Sequence, residues 1–60
     1  MKKVSGLYTN RQKFHYTVCY HKSYWQITVY DENNHHLGNN FYDTKQEVIE
    51  FLELNNASKI

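Results

Sequence analysis

The chain has no proline, a single cysteine and two glycines among its 60 residues. One cysteine, Cys19, excludes an intrachain disulfide and any zinc site built from several cysteines, and a reducing, cytoplasmic setting suits it. No apolar run approaches the roughly 20 residues that a membrane-spanning helix needs. The opening MKKVSGLY has two lysines but no apolar core after them, so it does not read as a secretory leader. Linkers, repeats and low-complexity stretches are also missing. The expectation is one small domain over 1–60, with its core between 13 and 54 and a flexible tail at 57–60. A chain of this length buries only about 60% of its unfolded surface, so the core must be tight.

Acidic residues are absent from the whole first half. Met1 to Tyr30 contains Lys2, Lys3, Arg11, Lys13 and Lys22 and no Asp or Glu. The second half has Asp31, Glu32, Asp43, Glu47, Glu50 and Glu53 against Lys45 and Lys59, and the net charge is +1. A nearly neutral protein can therefore present one basic and one acidic surface, if the two halves form different faces. Asn, Lys, Tyr and Ile are abundant, a bias resembling AT-rich coding in low-GC bacteria or their phages, so a phage-like or mobile-element-like source is expected.

What is present is aromatic and periodic. In KFHYTVCY, Phe14, Tyr16, Val18 and Tyr20 share one parity, opposed to Lys13, His15, Thr17 and Cys19. YWQITVY repeats the pattern, with Trp25, Ile27 and Val29 opposed to Tyr24, Gln26, Thr28 and Tyr30. Strict alternation of β-branched and aromatic residues marks strands buried on one face. HKS makes a short hairpin loop between them and DENN the next turn. HHLGNNFY reads as a weaker strand with Leu37 and Phe41 inward and Gly38 at a bulge. Upstream, VSGLYT predicts a further edge strand turning at NRQ. Thr44 and Glu47 have capping-box spacing, Val48, Phe51 and Leu52 form an apolar stripe with Ile49 beside it, and Asn55–Asn56 supplies a stop. The fold class expected is α+β: an antiparallel meander of three to four strands with one C-terminal helix packed on one face.

That helix would cover Phe14, Tyr16, Val18, Trp25, Ile27 and Val29. The other sheet face would present Lys13, His15, Thr17, Tyr24, Gln26, Thr28 and Tyr30, with Arg11 and Lys22 near the turns. Such a set offers phosphate contacts, base-edge hydrogen bonds and stacking together. The first expectation is thus a nucleic-acid-binding face, for DNA ahead of RNA. The alternative is a protein-interaction module, a phage-like inhibitor or adaptor, docking through the same tyrosines.

The β-β-β-α order ending in YDTKQEVIEFL resembles two related DNA-binding domains. One is the plant ethylene-response-factor type, with L-G-x-F-D-T-x-x-E-A; the other is the tyrosine-recombinase arm-binding type, with G-F-x-T-K-x-E-A-x-x-F-L. Tyr42, Thr44, Lys45, Glu47, Val48, Phe51 and Leu52 fall in the recombinase register, while Leu37–Gly38 and WQITV match the plant-type module. The resemblance spans about residues 14 to 54 and implies a sheet face lying in the DNA major groove. The plant-type domain reads DNA with arginines on its first two strands, where this chain has His15, Thr17, His21, Gln26 and Thr28.

No catalytic constellation emerges from these spacings, so no enzyme, cofactor or small-molecule substrate is expected, and no membrane partner. His15, Cys19 and His21 share a parity but are strung along one strand, a poor tetrahedral set, and no metal site is expected.

Overall fold

The computed structural model describes residues 4–60, so Lys2 and Lys3 of the basic half lie outside the described residues. In chain order the elements are β1 (Gly6–Thr9), β2 (His15–Tyr20), β3 (Trp25–Tyr30), β4 (His36–Tyr42), α1 (Lys45–Leu54) and β5 (Ser58–Lys59). The strands form one five-stranded antiparallel sheet in the order β4-β3-β2-β1-β5. The α+β class with a single helix against one sheet face is as the alternation predicts; the strand count is larger.

Alternation determines which side is buried. Antiparallel partners share a face, and the register sets Tyr16 opposite Val29, Val18 opposite Ile27 and Tyr8 opposite Tyr16. Tyr8, Tyr16, Val18 and Ile27 meet Val48 and Leu52 of α1 in the core, with Phe14, Trp25, Val29, Tyr42 and Phe51 packed around them. Ile27 and Val48 are fully buried, and burying a side chain of this size contributes about 1.5–3 kcal/mol. Tyr16 is 2% exposed, and its ring meets Phe51 edge-on at 5.7 Å.

The helix starts and stops as its sequence dictates. Thr44 Oγ1 accepts from the Glu47 N–H at 3.2 Å, and Glu47 Oε1 accepts from the Thr44 N–H at 3.2 Å. At the other end Asn56 adopts φ 56°, with its N–H on the Glu53 carbonyl, and Ala57 N–H reaches the Leu52 carbonyl at 2.9 Å. That paired closure satisfies two carbonyls the last turn leaves open, and asparagine is among the few residues that take its left-handed position readily.

Three expectations need correction. β1 is an interior strand rather than an edge, because β5 pairs with it: Tyr8 lies opposite Lys59 and Thr9 opposite Ser58. Residues 57–60, expected as a tail, are held there, with Ala57 on the core and Ile60 N–H bonded to the Leu7 carbonyl. The closure after α1 turns the chain straight back against β1, which explains the docking. Leu37 and Phe41, expected inward, face outward and are 54% and 60% exposed. Trp25 pairs with Tyr42 and Ile27 with Asn40, so Gly38, Asn40 and Tyr42 are the helix-side positions of β4, and an irregularity at Val29/Tyr30 resets its first residues. Both parities of NNFY carry an aromatic, so alternation alone could not choose between Phe41 and Tyr42.

Asn10 gives the fold its main polar junction. Its Nδ2 donates to the Tyr16 hydroxyl at 3.0 Å and to the Asn55 carbonyl at 3.2 Å. Its Oδ1 accepts from the N–H groups of Gln12 at 3.1 Å and Phe14 at 3.0 Å.

Two substitutions test these connections by urea denaturation. Thr44→Ala breaks the capping box and should cost about 0.5–2 kcal/mol; an unchanged midpoint would show that the helix does not rely on it. Asn10→Ala strands two donors and two acceptors in a half-buried site and should cost about 1–3 kcal/mol. If its loss is no larger than that of an exposed loop substitution, the junction is not a stabilising one.

Candidate functional site

The face away from α1 is uncovered. Pairing sets His15 opposite Tyr30, Thr17 opposite Thr28, Cys19 opposite Gln26, and Gln26 in turn opposite Phe41, with Asn39 beside Thr28. Leu7 pairs with Thr17 and Thr9 with His15, extending the face across β1. Over the strands these outward positions include no Lys, Arg, Asp or Glu. The centre of the face thus carries none of the four residue types that are charged in ordinary solution at every pH near neutrality.

A ladder of polar side chains crosses that centre. His21 Nε2 and Gln26 Oε1 are 2.9 Å apart, Gln26 Nε2 donates to Thr28 Oγ1 at 3.1 Å and to Asn39 Oδ1 at 3.3 Å, and His36 Nε2 lies 3.4 Å from Asn39 Oδ1. Aromatic contacts flank the ladder at both ends. His21 stacks on Tyr24 at 4.9 Å and Tyr24 meets Phe41 edge-on at 5.9 Å, while Tyr30 meets His36 at 5.9 Å. Beyond Tyr30 lies a hollow of about 290 Å³ between Leu7, His15, Thr17, Tyr30 and Ile60. The network commits the Gln26 carboxamide to its neighbours, so it presents a fixed pattern of polar atoms rather than a free one.

Of the sequence-derived set, His15, Thr17, Gln26, Thr28 and Tyr30 come together on this face, and Tyr24 joins them at one end through Phe41. The cations do not. Arg11 and Lys13 lie in the β1–β2 loop and Lys22 in the β2–β3 loop, at opposite ends of β2. The six residues of β2 separate those ends by about 17–20 Å. Antiparallel topology also puts the β3–β4 loop, with Asp31 and Glu32, at the same end as Arg11 and Lys13. Charge therefore lies around the rim, with both signs at one end.

The two loops at that end are built alike. In the first, Asn10 Oδ1 accepts from Gln12 and Phe14, the Lys13 N–H reaches the Asn10 carbonyl, and Lys13 has φ 66°. In the second, Asp31 Oδ1 accepts from Asn33 and His35, the Asn34 N–H reaches the Asp31 carbonyl, and Asn34 has φ 66°. An Asx side chain bonding its own loop is a known turn former, and a left-handed residue closes such a hairpin. Glycine or asparagine is favoured at that closing position, yet Lys13 occupies it in the first loop, and Lys22 has φ 68° in the β2–β3 loop. The Lys22 carbonyl there accepts the Tyr20 hydroxyl.

Sequence reading missed Leu7, His36, Asn39, Phe41 and Ile60 as members of the face. The alternation of β3 carried over to β4 would have found Asn39 and Phe41; for Leu7 and Ile60 the strands themselves had to be known. Among the described residues no three His, Cys, Asp or Glu gather as a metal ion would require, and no helix is long and apolar enough to cross a membrane. No protein-family model, curated protein or solved structure matches the chain.

The Asp31 carboxyl is held below its ordinary value of 3.8, first by the His35 backbone N–H, with the Asn33 N–H and the nearby His35 ring adding to it. A lowered folded value contributes stability above the unfolded value, lost as pH falls through the folded one. Asp31→Asn should retain the loop, since Asn10 already builds the same one. It should lose less melting temperature than the parent as pH is lowered through the carboxyl range. Equal losses in the two proteins would show that this carboxylate contributes nothing to acid sensitivity.

Proposed function

We propose that the uncovered sheet face is a protein-docking surface and that the chain acts as a small non-enzymatic adaptor or inhibitor. One observation carries the reading: an aromatic-rich centre without Lys, Arg, Asp or Glu, with Arg11, Lys13, Lys22, Asp31 and Glu32 in the loops at its ends. Protein interfaces have that anatomy, with charge depleted at the core, Tyr, Phe and Trp enriched, and a polar rim. The tyrosine and phenylalanine rings supply large contact areas at small entropic cost, and the fixed amide ladder supplies orientation. The exposed, free Cys19 on this face suits a reducing cytoplasm, the setting in which a phage-type adaptor would work.

Duplex DNA binding is the second reading, favoured by Lys13 and Lys22. Both occupy left-handed backbone positions where a non-glycine residue costs about 1 kcal/mol. Retaining lysine against that cost is consistent with a use for the ammonium groups, and phosphate contact at the rim is one. The likeness to sheet-reading DNA-binding domains supports the same idea, although the cations it would use, Arg11, Lys13 and Lys22, lie in loops at opposite ends of β2.

Two measurements separate the readings. A photo-crosslinking phenylalanine analogue at Tyr30 or Phe41, introduced in the producing cell, should join the chain to one defined protein, whereas the analogue at Glu50 on the helix should not. In parallel, duplex and single-stranded DNA titrations at two salt concentrations should give no binding. Binding whose logarithm falls with that of salt at a slope of about −3, as three phosphate contacts require, would overturn protein docking. It would instead establish the nucleic-acid reading, and Lys13→Ala with Lys22→Ala should then flatten the slope.

A further inference from the structure

The two edges of the sheet differ in a way that points to a partner. β5 has two residues and is blunted by its brevity. β4 has seven, HLGNNFY, with no Lys, Arg, Asp, Glu or Pro among them. Soluble proteins use charges, prolines or bulges to keep edge strands from pairing; this strand has no such charge or proline, and its one irregularity, at Leu37, leaves Gly38–Tyr42 regular. Among the described residues, no backbone hydrogen bond outside the sheet ladder engages any residue of His36–Tyr42. On the same strand Leu37 and Phe41 face solvent at 54% and 60% exposure.

We propose that β4 pairs antiparallel with β4 of a second copy of this chain, about a two-fold axis through Asn39. Three features favour a second copy over another protein. A two-fold strand pair sets a segment against its own reversed sequence, so any charge near the axis meets its own copy; β4 has no charge to repel. Leu37 and Phe41 lie two residues either side of Asn39, so the axis sets each Leu37 opposite the partner's Phe41, twice, on one face. Such cross-strand apolar pairs are the unit of sheet stabilisation, and isologous contacts of this kind close at the dimer. Asn39 meets its own copy across the axis; its Oδ1 already accepts from Gln26 Nε2, and an uncharged carboxamide brings no like-charge repulsion there. Gly38 lies opposite the partner's Asn40, and nothing stands within 4 Å of where a Gly38 side chain would begin. The register slip at Val29/Tyr30 leaves Leu37 as the one residue of β4 without a β3 partner, between His36 opposite Tyr30 and Gly38 opposite Val29, and the paired span ends at it. Because residues with matching parity pair, both helices lie on one side of the doubled sheet and both uncovered faces join on the other.

Sedimentation equilibrium tests the proposal. The parent chain should dimerise in the micromolar range. Leu37→Lys and Phe41→Glu should each weaken association by at least about tenfold, and the double variant should recover it, because opposite charges then face each other across the axis. Both positions are solvent-facing in the single chain, so circular-dichroism melts of the variants should show folded protein. A parent chain that stays monomeric to high micromolar concentration overturns the proposal and leaves the edge to an extended segment of another protein. So does a dimer that neither single variant weakens, or one that both weaken and the double variant fails to restore.

Discussion

The carboxamide of Asn10 joins parts of the molecule that are distant in sequence. It shapes the first hairpin loop with its oxygen, and with its nitrogen it holds the Tyr16 hydroxyl and the Asn55 carbonyl at the end of the helix. An asparagine side chain has two donor and two acceptor positions, and all four are engaged. The consequence is positional. Tyr16 is the most buried aromatic residue, and Asn55 begins the closure that returns the chain to β1. One side chain therefore fixes the first hairpin, the core ring and the helix end relative to one another, and with them the side of the sheet that remains uncovered.

The uncovered face owes its character to a division of labour between strands and loops. Outward strand positions supply amides, hydroxyls, imidazoles and rings, and the loops at the ends supply Arg11, Lys13, Lys22, Asp31 and Glu32. Two hairpins use the same Asx-based loop, one with Asn10, Arg11 and Lys13, the other with Asp31, Glu32 and Asn34. A shared backbone solution with opposite electrostatics gives the rim a dipole at one end of the sheet. On the proposed docking role, such an arrangement would orient a partner without attracting polyanions strongly.

Much of the fold was legible in the residues, and the failures have particular causes. β2 and β3 alternate strictly over six residues each, so their pairing and buried face could be read directly. The T-x-x-E box and the Asn pair bounded the helix. β4 was ambiguous because Phe41 and Tyr42 are adjacent aromatics of opposite parity, and only pairing with Trp25 decides between them. β5, Ser58–Lys59, has neither length nor β-branched residues; it is a strand because β1 offers it a free edge, a tertiary effect without a local signature. The uncovered face was legible in its middle and less so at its margins. Parity assigned His15, Thr17, Gln26, Thr28 and Tyr30 correctly, whereas the lysines belong to turns, where alternation no longer says which way a side chain stands.

The pairing of β1 with β5 also makes the order of elements nearly circular. Ile60 lies beside Leu7, its N–H on the Leu7 carbonyl, and the two strands run antiparallel as if a hairpin had been cut at its loop. Joining a chain at that point and opening it in the His21–Tyr24 loop would keep every strand neighbour while changing which contacts are local. β1 and β5, now paired across nearly the whole described chain, would become a hairpin of local contacts, and lower contact order favours faster folding. The same architecture would then be reached with a different division between local and distant contacts.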